Sequence, residues 1–158
     1  HPSLGTRALV ATDQDDAVGS GALKRFVAAR IAAGVPEGSL DFALGDTFPH
    51  DANMDLTGGI DFAKGCFVGQ EVVSRMRHRG TARRRTVRVE AQSATLPPTG
   101  SPILAGETAV GTLGTAQGRE GLAIVRIDRT GKGPLTCAGV AITLTVPPGA
   151  PFVLAEAS

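Results

Sequence analysis

Apolar residues near the start of the chain recur at helical spacing. Four of them, at i, i+3, i+4 and i+8, would share one face: Leu23, Phe26, Val27 and Ile31. Gly34 and Pro36 then supply a stop, because glycine tolerates the left-handed cap and proline cannot continue the hydrogen-bond ladder. The pattern predicts a helix over residues 16–33, preceded by a short strand over residues 4–11.

Beyond residue 83 the pattern changes to an alternation of apolar and polar positions. Residues 86–91 alternate with period two, which is typical of a half-buried strand. Three further segments repeat this texture, each bounded by Gly or Pro: 108–115, 121–127 and 140–146. Four or more short strands without an intervening helix predict a small antiparallel barrel or sandwich.

The region between these two patterns is rich in glycine and proline. Over residues 35–62 this predicts loops and short turns across a surface. A second helix is predicted over residues 69–77, with Gly80 ending it. We place the boundary between two units after residue 82, which gives units 1–82 and 83–158.

The composition fits a folded globular protein. Of 158 residues, 42% are hydrophobic and 20% are charged, which is outside the range of disordered chains. The formal charge is only +1, so no overall field favours nucleic acid or a membrane surface. No apolar run approaches the ~18 residues of a membrane span.

Charge is nevertheless segregated along the chain. Nine of the fifteen acids lie within residues 13–61, and seven of the sixteen bases lie within residues 75–88. The basic run has two readings, a solvated hinge between the two units or a surface that attracts an anionic ligand. Nucleic acid comes last, because no aromatic residue interleaves the arginines for base stacking.

The chain contains two cysteines, Cys66 and Cys137, and no CxxC motif. Their separation gives neither a disulfide framework nor metal-ligand spacing, which favours a reducing, cytoplasmic setting. His50 and His78 stand without a cysteine or carboxylate at ligand spacing, so no metal site is predicted. Cys137, beside a glycine and before a strand, is interpreted as a packing residue.

The surroundings of Cys66 allow two interpretations. Gly65 and Gly69 bracket the cysteine, so the backbone can bend sharply and approach a partner closely. Lys64 and a helix beginning just after the cysteine would both favour the thiolate form. The alternative is a small buried hydrophobe between structural glycines, and spacing alone favours that alternative.

The octapeptide around this cysteine carries a family resemblance. Lys64-Gly65-Cys66-Phe67-Val68-Gly69-Gln70-Glu71 resembles the KGC[FY]xGQE motif of YgfZ-type folate-binding proteins, relatives of the glycine-cleavage T-protein. Several flanking segments resemble the same family in the same order: residues 4–7, 30–36, 48–53, 59–62 and 79–80. The octapeptide is a specific motif, whereas each flanking match is weak by itself and counts only because all of them occur in the family's order.

The resemblance implies an α+β fold and a role. Residues 1–82 would form the carboxy-terminal half of a ferredoxin-like folate-binding domain, and residues 83–158 a small antiparallel β-barrel. The implied function is a tetrahydrofolate-binding accessory protein in iron–sulfur cluster assembly or repair, whose partners would be iron–sulfur client or assembly proteins. A chain beginning at His1 would be a fragment that lacks part of the cavity wall, so we expect weak folate binding by the fragment alone.

The resemblance also implies roles for individual residues. Cys66 would be the functional thiol. The residues expected to shape the loop or contact folate are Lys64, Gly65, Gly69, Gln70, Glu71, Arg75 and Asp51.

One residue departs from the family pattern. Many relatives carry Glu where this chain has Ala32, and a methyl group cannot accept a hydrogen bond from a pterin ring. Each buried ring donor left unpaired costs about 1–3 kcal/mol, or up to ~100-fold in affinity. Either another acid such as Asp51 substitutes, or pterin recognition is weakened.

Two rival functions remain open at this point. The first is an enzyme, a folate-dependent aminomethyltransferase of the T-protein type, although a shared fold does not confer chemistry. The second is an RNA-contacting module that uses the arginine run, which a steep salt dependence of binding would reveal.

Overall fold

The six strands after residue 83 close into one barrel. In the computed structural model, which describes residues 1–5, 20–66, 68–80 and 82–156, they are β1 (Arg84–Ala91), β2 (Pro102–Ala105), β3 (Thr108–Gln117), β4 (Glu120–Arg126), β5 (Leu135–Cys137) and β6 (Val140–Thr145). Their order around the barrel is β1-β4-β3-β2-β5-β6, with every pair antiparallel. Because β1 pairs with both β4 and β6, the sheet has no free edge. The predicted antiparallel barrel is confirmed.

Branched aliphatic side chains fill the interior of the barrel. Alternate residues of β1 point inward, so Val87 and Val89 are buried with Ala91. Other strands complete the cluster: Ile103, Ala105, Val110, Leu113, Ala123, Val125, Cys137, Ile142 and Leu144. The scarcity of aromatic residues is therefore compatible with a dense core, because β-branched chains pack well on pleated strands.

The sequence pattern missed β2 and β5. β2 has four residues and begins with Pro102, and β5 has three, so neither contains enough alternation to be recognised. A tight hairpin joins β3 and β4. Gly118 adopts a φ of 64° there, in the left-handed region that favours glycine.

Two helices precede the barrel, α1 (Ser20–Ala33) and α2 (Gln70–Arg79). Both end at a glycine in the left-handed region, Gly34 with φ 68° and Gly80 with φ 58°, as the sequence predicted. Most of the strand expected over residues 4–11, and the predicted start of the first helix at 16–19, lie outside the described residues. Leu4 itself lies in a short 3-10 helix rather than a strand.

The apolar face expected along α1 is only partly buried. Ile31 is buried, whereas Leu23 is 57% exposed, so the apolar face that the spacing predicts is not buried along its whole length. The reason is that α1 is buried only near its carboxyl end, where Arg30 and Ile31 lie. Its first turns project away from the apolar core.

A set of polar contacts, here called the polar anchor, attaches α1 and the following turn to the barrel. Arg30 donates to the Asp41 carboxylate at 2.7 Å and to the Thr115 hydroxyl at 2.9 Å. The other Asp41 oxygen accepts the backbone N–H of Thr115. The β3–β4 register shifts between Leu113 and Ala116, so this N–H lies in an irregular part of the ladder and the carboxylate satisfies it.

The segment before the second helix packs on β1 instead of lying over the surface. His50, Asp51 and Asn53 are buried, and each of them takes part in one hydrogen bond with β1. Asn53 donates to the Thr86 carbonyl at 2.8 Å, Thr86 Oγ1 donates to the Asp51 carbonyl at 2.9 Å, and Arg85 donates to the His50 carbonyl at 3.0 Å. The turns predicted within residues 35–62 are present in this part, but the expectation that they lie over a surface is wrong here because they are buried against β1.

The fold class is α+β, as predicted. Before β1, the described residues contribute the two helices, turns and one isolated bridge between Gly38 and Phe42. The boundary after residue 82 between two independent units stays a prediction. None of the described helices has the length and apolarity needed to cross a bilayer.

Candidate functional site

The loop that leads into α2 presents a free thiol to solvent. Cys66 is unpaired and exposed, which favours the first of the two interpretations of this cysteine. The loop begins with a tight bend in which the Asp61 carboxylate accepts the N–H of Ala63 at 2.8 Å. It ends at Gly69, whose φ of 86° directs the chain into the first turn of α2. Phe67, next to the thiol, lies outside the described residues.

The two glycines of this loop have different requirements. Gly69 needs its left-handed conformation to start the helix. A Cβ on Gly65 would meet nothing within 4 Å, and Gly65 does not have a positive φ. Nothing within the described chain therefore requires glycine at position 65, and the backbone beside the thiol is open to the close approach of another molecule.

The polar residues of the motif lie on the first turns of α2. Glu71 and Arg75 form an ion pair one turn apart on the exposed face of the helix. Gln70 is half-buried at the first helical position, and Lys64 is exposed on the loop. Lys64, Glu71 and Arg75 are thus accessible from solvent, as Cys66 is, whereas the roles of the motif residues toward a ligand stay a prediction.

Asp51 lies in the protein interior, against β1. Its residue is 2% exposed, its Oδ2 atom has no hydrogen-bond partner, and Arg84 Nε lies 3.7 Å from that atom. Burial raises the pKa of Asp51 above its ordinary 3.8, and the Arg84 charge opposes the rise. A pterin contact through Asp51 would require this carboxylate to leave the protein interior.

Reduced folate fits this chain only in part. Ala32 is exposed on α1 and offers a methyl group where many relatives offer a carboxylate, and Asp51 is buried. Neither position supplies an accessible acceptor for pterin ring donors. The cations of the loop and of α2, Lys64 and Arg75, suit an anionic tail.

Five of the seven arginines in the run have separate partners in the described part of the chain. They are Arg75 with Glu71, Arg77 over the Phe62 ring at 3.9 Å, Arg84 near Asp51, Arg85 with Asp55 at 2.7 Å, and Arg88 near Glu120 at 3.9 Å. Because these side chains point to different elements, the run is best described as the connection between α2 and the barrel. The idea of a continuous RNA-binding stripe finds no support in this arrangement.

Sequence reasoning missed a cavity behind α2. It has a volume of about 390 Å³ and lies between α2, the 50–62 segment and the barrel, with six residues prominent in its wall: His50, Asp55, Phe62, Arg77, Arg85 and Phe152. His50 was considered only as a metal ligand. No spacing signal could have shown that its ring would be buried beside this cavity.

The second cysteine contrasts with the first. Cys137 is completely buried in the barrel core, and burial raises the pKa of its thiol. Its nearest polar contact is weak, an Sγ to Ser101 carbonyl distance of 3.9 Å. Among the described residues, no group of three or more His, Cys, Asp or Glu could hold a metal ion.

Comparisons with known proteins agree with this architecture. Residues 83–152 match the family described as CAF17, C-terminal beta-barrel domain. The chain shares its fold with the glycine cleavage system aminomethyltransferase T of Bartonella henselae, with a TM-score of 0.62 and 18% identity over 87% of this chain and 42% of that one. At this identity the likeness concerns the fold alone.

The relatives found by sequence similarity are named as iron–sulfur cluster assembly factors and not as aminomethyltransferases. The chain is 36% identical over 138 residues to the mouse protein "Iron-sulfur cluster assembly factor IBA57, mitochondrial", which covers 80% of this chain and 38% of the relative. For the human counterpart the identity is 33% over 133 residues, covering 78% and 37%. A Coccidioides immitis homolog is 38% identical over 95 residues, covering 56% and 22%. The chain thus spans well under half the length of these relatives.

These comparisons confirm some expectations and correct one. Similarity to iron–sulfur assembly factors and a T-protein fold was expected, whereas the narrower YgfZ assignment stays a prediction. The expected cytoplasmic location is wrong by this comparison, because the relatives are named mitochondrial. Cysteine usage reports the redox state of a compartment and not which compartment it is.

Proposed function

We propose that this protein is an accessory factor in iron–sulfur cluster assembly or repair that acts through the Cys66 thiol. The single observation that carries the proposal is the exposure of this free thiol on the Gly65–Gly69 loop. The names of the similar proteins support the process. Thiolate is the side chain that iron–sulfur clusters use as a ligand, so an exposed cysteine suits contact with such a cluster.

One thiol cannot hold an iron–sulfur cluster by itself, so a partner protein would supply the other ligands. A cluster of this kind takes several cysteine ligands, and Cys66 can supply one. The cluster would therefore be cargo held together with a partner, an iron–sulfur client or assembly protein, which would approach the open backbone at Gly65. In this arrangement Lys64 and the dipole of the α2 amino terminus favour an anionic cluster nearby.

The test uses the protein at its natural length in cells that lack their own copy. We expect Cys66→Ala and Cys66→Ser to lose most of the activity of iron–sulfur enzymes, while enzymes without a cluster are unaffected. Cys137→Ala is the matched control, since it removes the buried thiol and leaves the loop unchanged. Full restoration of cluster enzymes by Cys66→Ala, at equal protein abundance, would contradict the proposal.

A reduced folate is proposed as a ligand of the same protein. Its support is the family resemblance and the cations beside the loop, while the pterin acceptor would have to be a residue other than Ala32 or Asp51. Thermal shift with tetrahydrofolate tests this, because ligand at 100 times its dissociation constant stabilises by about 2.7 kcal/mol. We expect Ala32→Glu to tighten binding by up to ~100-fold, and an absent shift for both proteins would remove folate from the proposal.

Aminomethyl transfer is not favoured as an alternative. Its support is a fold likeness at 18% identity, and a fold does not determine an activity. Robust turnover of an aminomethylated carrier with tetrahydrofolate that survives Cys66→Ala would reverse this order.

A further inference from the structure

The cavity behind α2 has a mixed wall. Apolar surface comes from Phe62 and Phe152, and charge comes from Arg77, Arg85 and Asp55. Its volume of about 390 Å³ is many times the ~30 Å³ of one water molecule and falls within the range of small-molecule sites. Cys66 is not among its lining residues, so the cavity is distinct from the thiol loop.

Three buried nitrogen atoms at this cavity lack hydrogen-bond partners. His50 is only 1% exposed, and both of its ring nitrogens are shielded from solvent and lack a hydrogen-bond partner. The Nε of Arg85 is unpaired in the same way. Leaving such a group unpaired costs about 1–3 kcal/mol, so their clustering beside one cavity indicates a site where something else supplies the partners.

The charges around the cavity define what would bind. Arg85 is held by Asp55 at 2.7 Å and by the His50 carbonyl at 3.0 Å, which neutralises its charge while its Nε–H remains unpaired. Arg77 lies over the Phe62 ring at 3.9 Å and has no carboxylate within ion-pair distance among the described residues. Two guanidinium groups against one carboxylate leave a single positive charge.

The protonation state of the His50 imidazole suits the binding of an oxyanion. Burial lowers the pKa of His50 from its ordinary 6.5, with the Asp55 and Asp51 charges acting in the opposite direction and Arg85 adding to the lowering. At neutral pH the ring is therefore uncharged, with one N–H donor and one acceptor nitrogen. Together with the Arg85 Nε–H, it offers two donors to one ligand.

We propose that this cavity binds a small organic monoanion, a carboxylate carried on an aromatic or apolar body. The carboxylate would accept from Arg85 Nε and from one His50 nitrogen, with the Arg77 charge opposite. The body would lie against Phe62 and Phe152, whose rings already flank the two guanidinium groups at 3.9 Å and 5.3 Å. Because the His50 nitrogens and Arg85 Nε are all shielded, binding requires both side chains to turn toward the cavity.

Benzoate is the probe, with benzamide as an uncharged control of the same shape. Protein with isotope-labelled histidine gives three imidazole signals, which His1→Ala and His78→Ala assign. We expect benzoate to shift the His50 ring nitrogens with saturation by about 10 mM, and benzamide to bind at least tenfold more weakly. The His1 and His78 signals stay unchanged.

A pair of charge variants tests the geometry. Arg77 is exposed on α2, so Arg77→Gln should fold normally, and we expect it to weaken benzoate binding by about tenfold. Lys24→Gln removes an exposed positive charge that does not line the cavity, and we expect it to leave the affinity unchanged. Equal weakening by both variants would indicate a general charge effect and overturn the site.

Two further results would overturn the proposal. One is the absence of any His50 response to benzoate at concentrations where the protein remains folded. The other is an equal response to benzoate and benzamide, which would mean that water or any polar molecule satisfies these groups. Neither result would affect the Cys66 proposal, because the cysteine variants are scored on iron–sulfur enzymes.

Discussion

The barrel and the part before it are stabilised in different ways. Eleven buried apolar residues from all six strands form the barrel cluster. Among described residues 20–82, here called the helical part, the buried residues include four that are polar or charged: Arg30, His50, Asp51 and Asn53. The barrel therefore contains its own core, whereas the helical part depends on directed polar contacts with the barrel.

Exposed apolar groups follow the same division. Of the seven large hydrophobic residues that are exposed in the described part of the chain, six belong to the helical part: Leu23, Leu40, Leu44, Phe48, Val68 and Val72. The seventh, Val153, lies after the barrel strands. The thiol loop therefore belongs to the part that lacks a large apolar core and is held to the barrel by a few specific contacts. Each contact can be removed by itself.

The largest expected effect comes from breaking the polar anchor. Arg30→Ala leaves the Asp41 carboxylate, 2% exposed, without its guanidinium, and removing one partner of a buried pair costs about 3–5 kcal/mol. We expect α1 amides to lose protection in hydrogen exchange while β1 to β4 keep theirs. Arg25→Ala, exposed on the same helix, is the control. Equal loss in both parts would mean that they unfold as one unit.

The barrel core should respond almost as strongly, and globally. Leu113 is 1% exposed, so Leu113→Ala removes buried methyl groups and leaves a void, at a cost of about 2–5 kcal/mol in the free energy of unfolding. Leu44, 71% exposed in the helical part, is the matched position, and Leu44→Ala should change it by less than about 0.5 kcal/mol. Urea denaturation measures both, and similar losses would erase the distinction between the parts.

A smaller effect should appear at Asp51, with a defined pH dependence. Its pKa is raised in the fold, so the ionised carboxylate is disfavoured there and stability falls as pH rises above the ordinary value of 3.8. Asp51→Asn removes this loss, and we expect a higher Tm than wild type at pH 7 and no advantage below pH 3.8. An advantage that is equal at both pH values would assign the effect to packing instead.

The smallest effect is expected at the exposed end of β4. Arg126 Nε and Nη2 donate to the two Asp128 oxygens at 2.9 Å and 2.8 Å, which lowers the pKa of Asp128 to about 2. This pair adds stability above pH 3.8 that is lost as the pH falls toward 2. Because the pair is solvent-exposed, Asp128→Asn should cost below about 1 kcal/mol at pH 7 in urea denaturation. A larger loss would mean that the pair supports the barrel.

Regular elements could be predicted from the sequence because their signals are local. Period-two alternation located β1, and glycines at the helix ends located the stops of α1 and α2. β2 and β5 escaped detection because three or four residues carry too little periodicity. Their place in the barrel is set by pairing with β3 and β6.

Within the candidate site, too, features encoded by neighbouring residues could be predicted, and features that depend on distant contacts could not. The exposure of Cys66 agrees with the motif, since glycine positions and the helix start are encoded locally. The polar anchor joins residues that are 85 positions apart, and the cavity joins His50 to Arg85 and Phe152. Contacts at such separation arise from tertiary packing and leave no spacing in the sequence. The burial of Asp51 was missed for the same reason.

The most direct test of the account is alkylation of the native protein with iodoacetamide, followed by peptide mass spectrometry. The two thiols differ in one respect that matters here, since Cys66 is exposed on its loop and Cys137 is buried in the barrel. The account predicts that Cys66 is modified in the folded protein while Cys137 reacts only after denaturation. Protection of Cys66 under native conditions would contradict it.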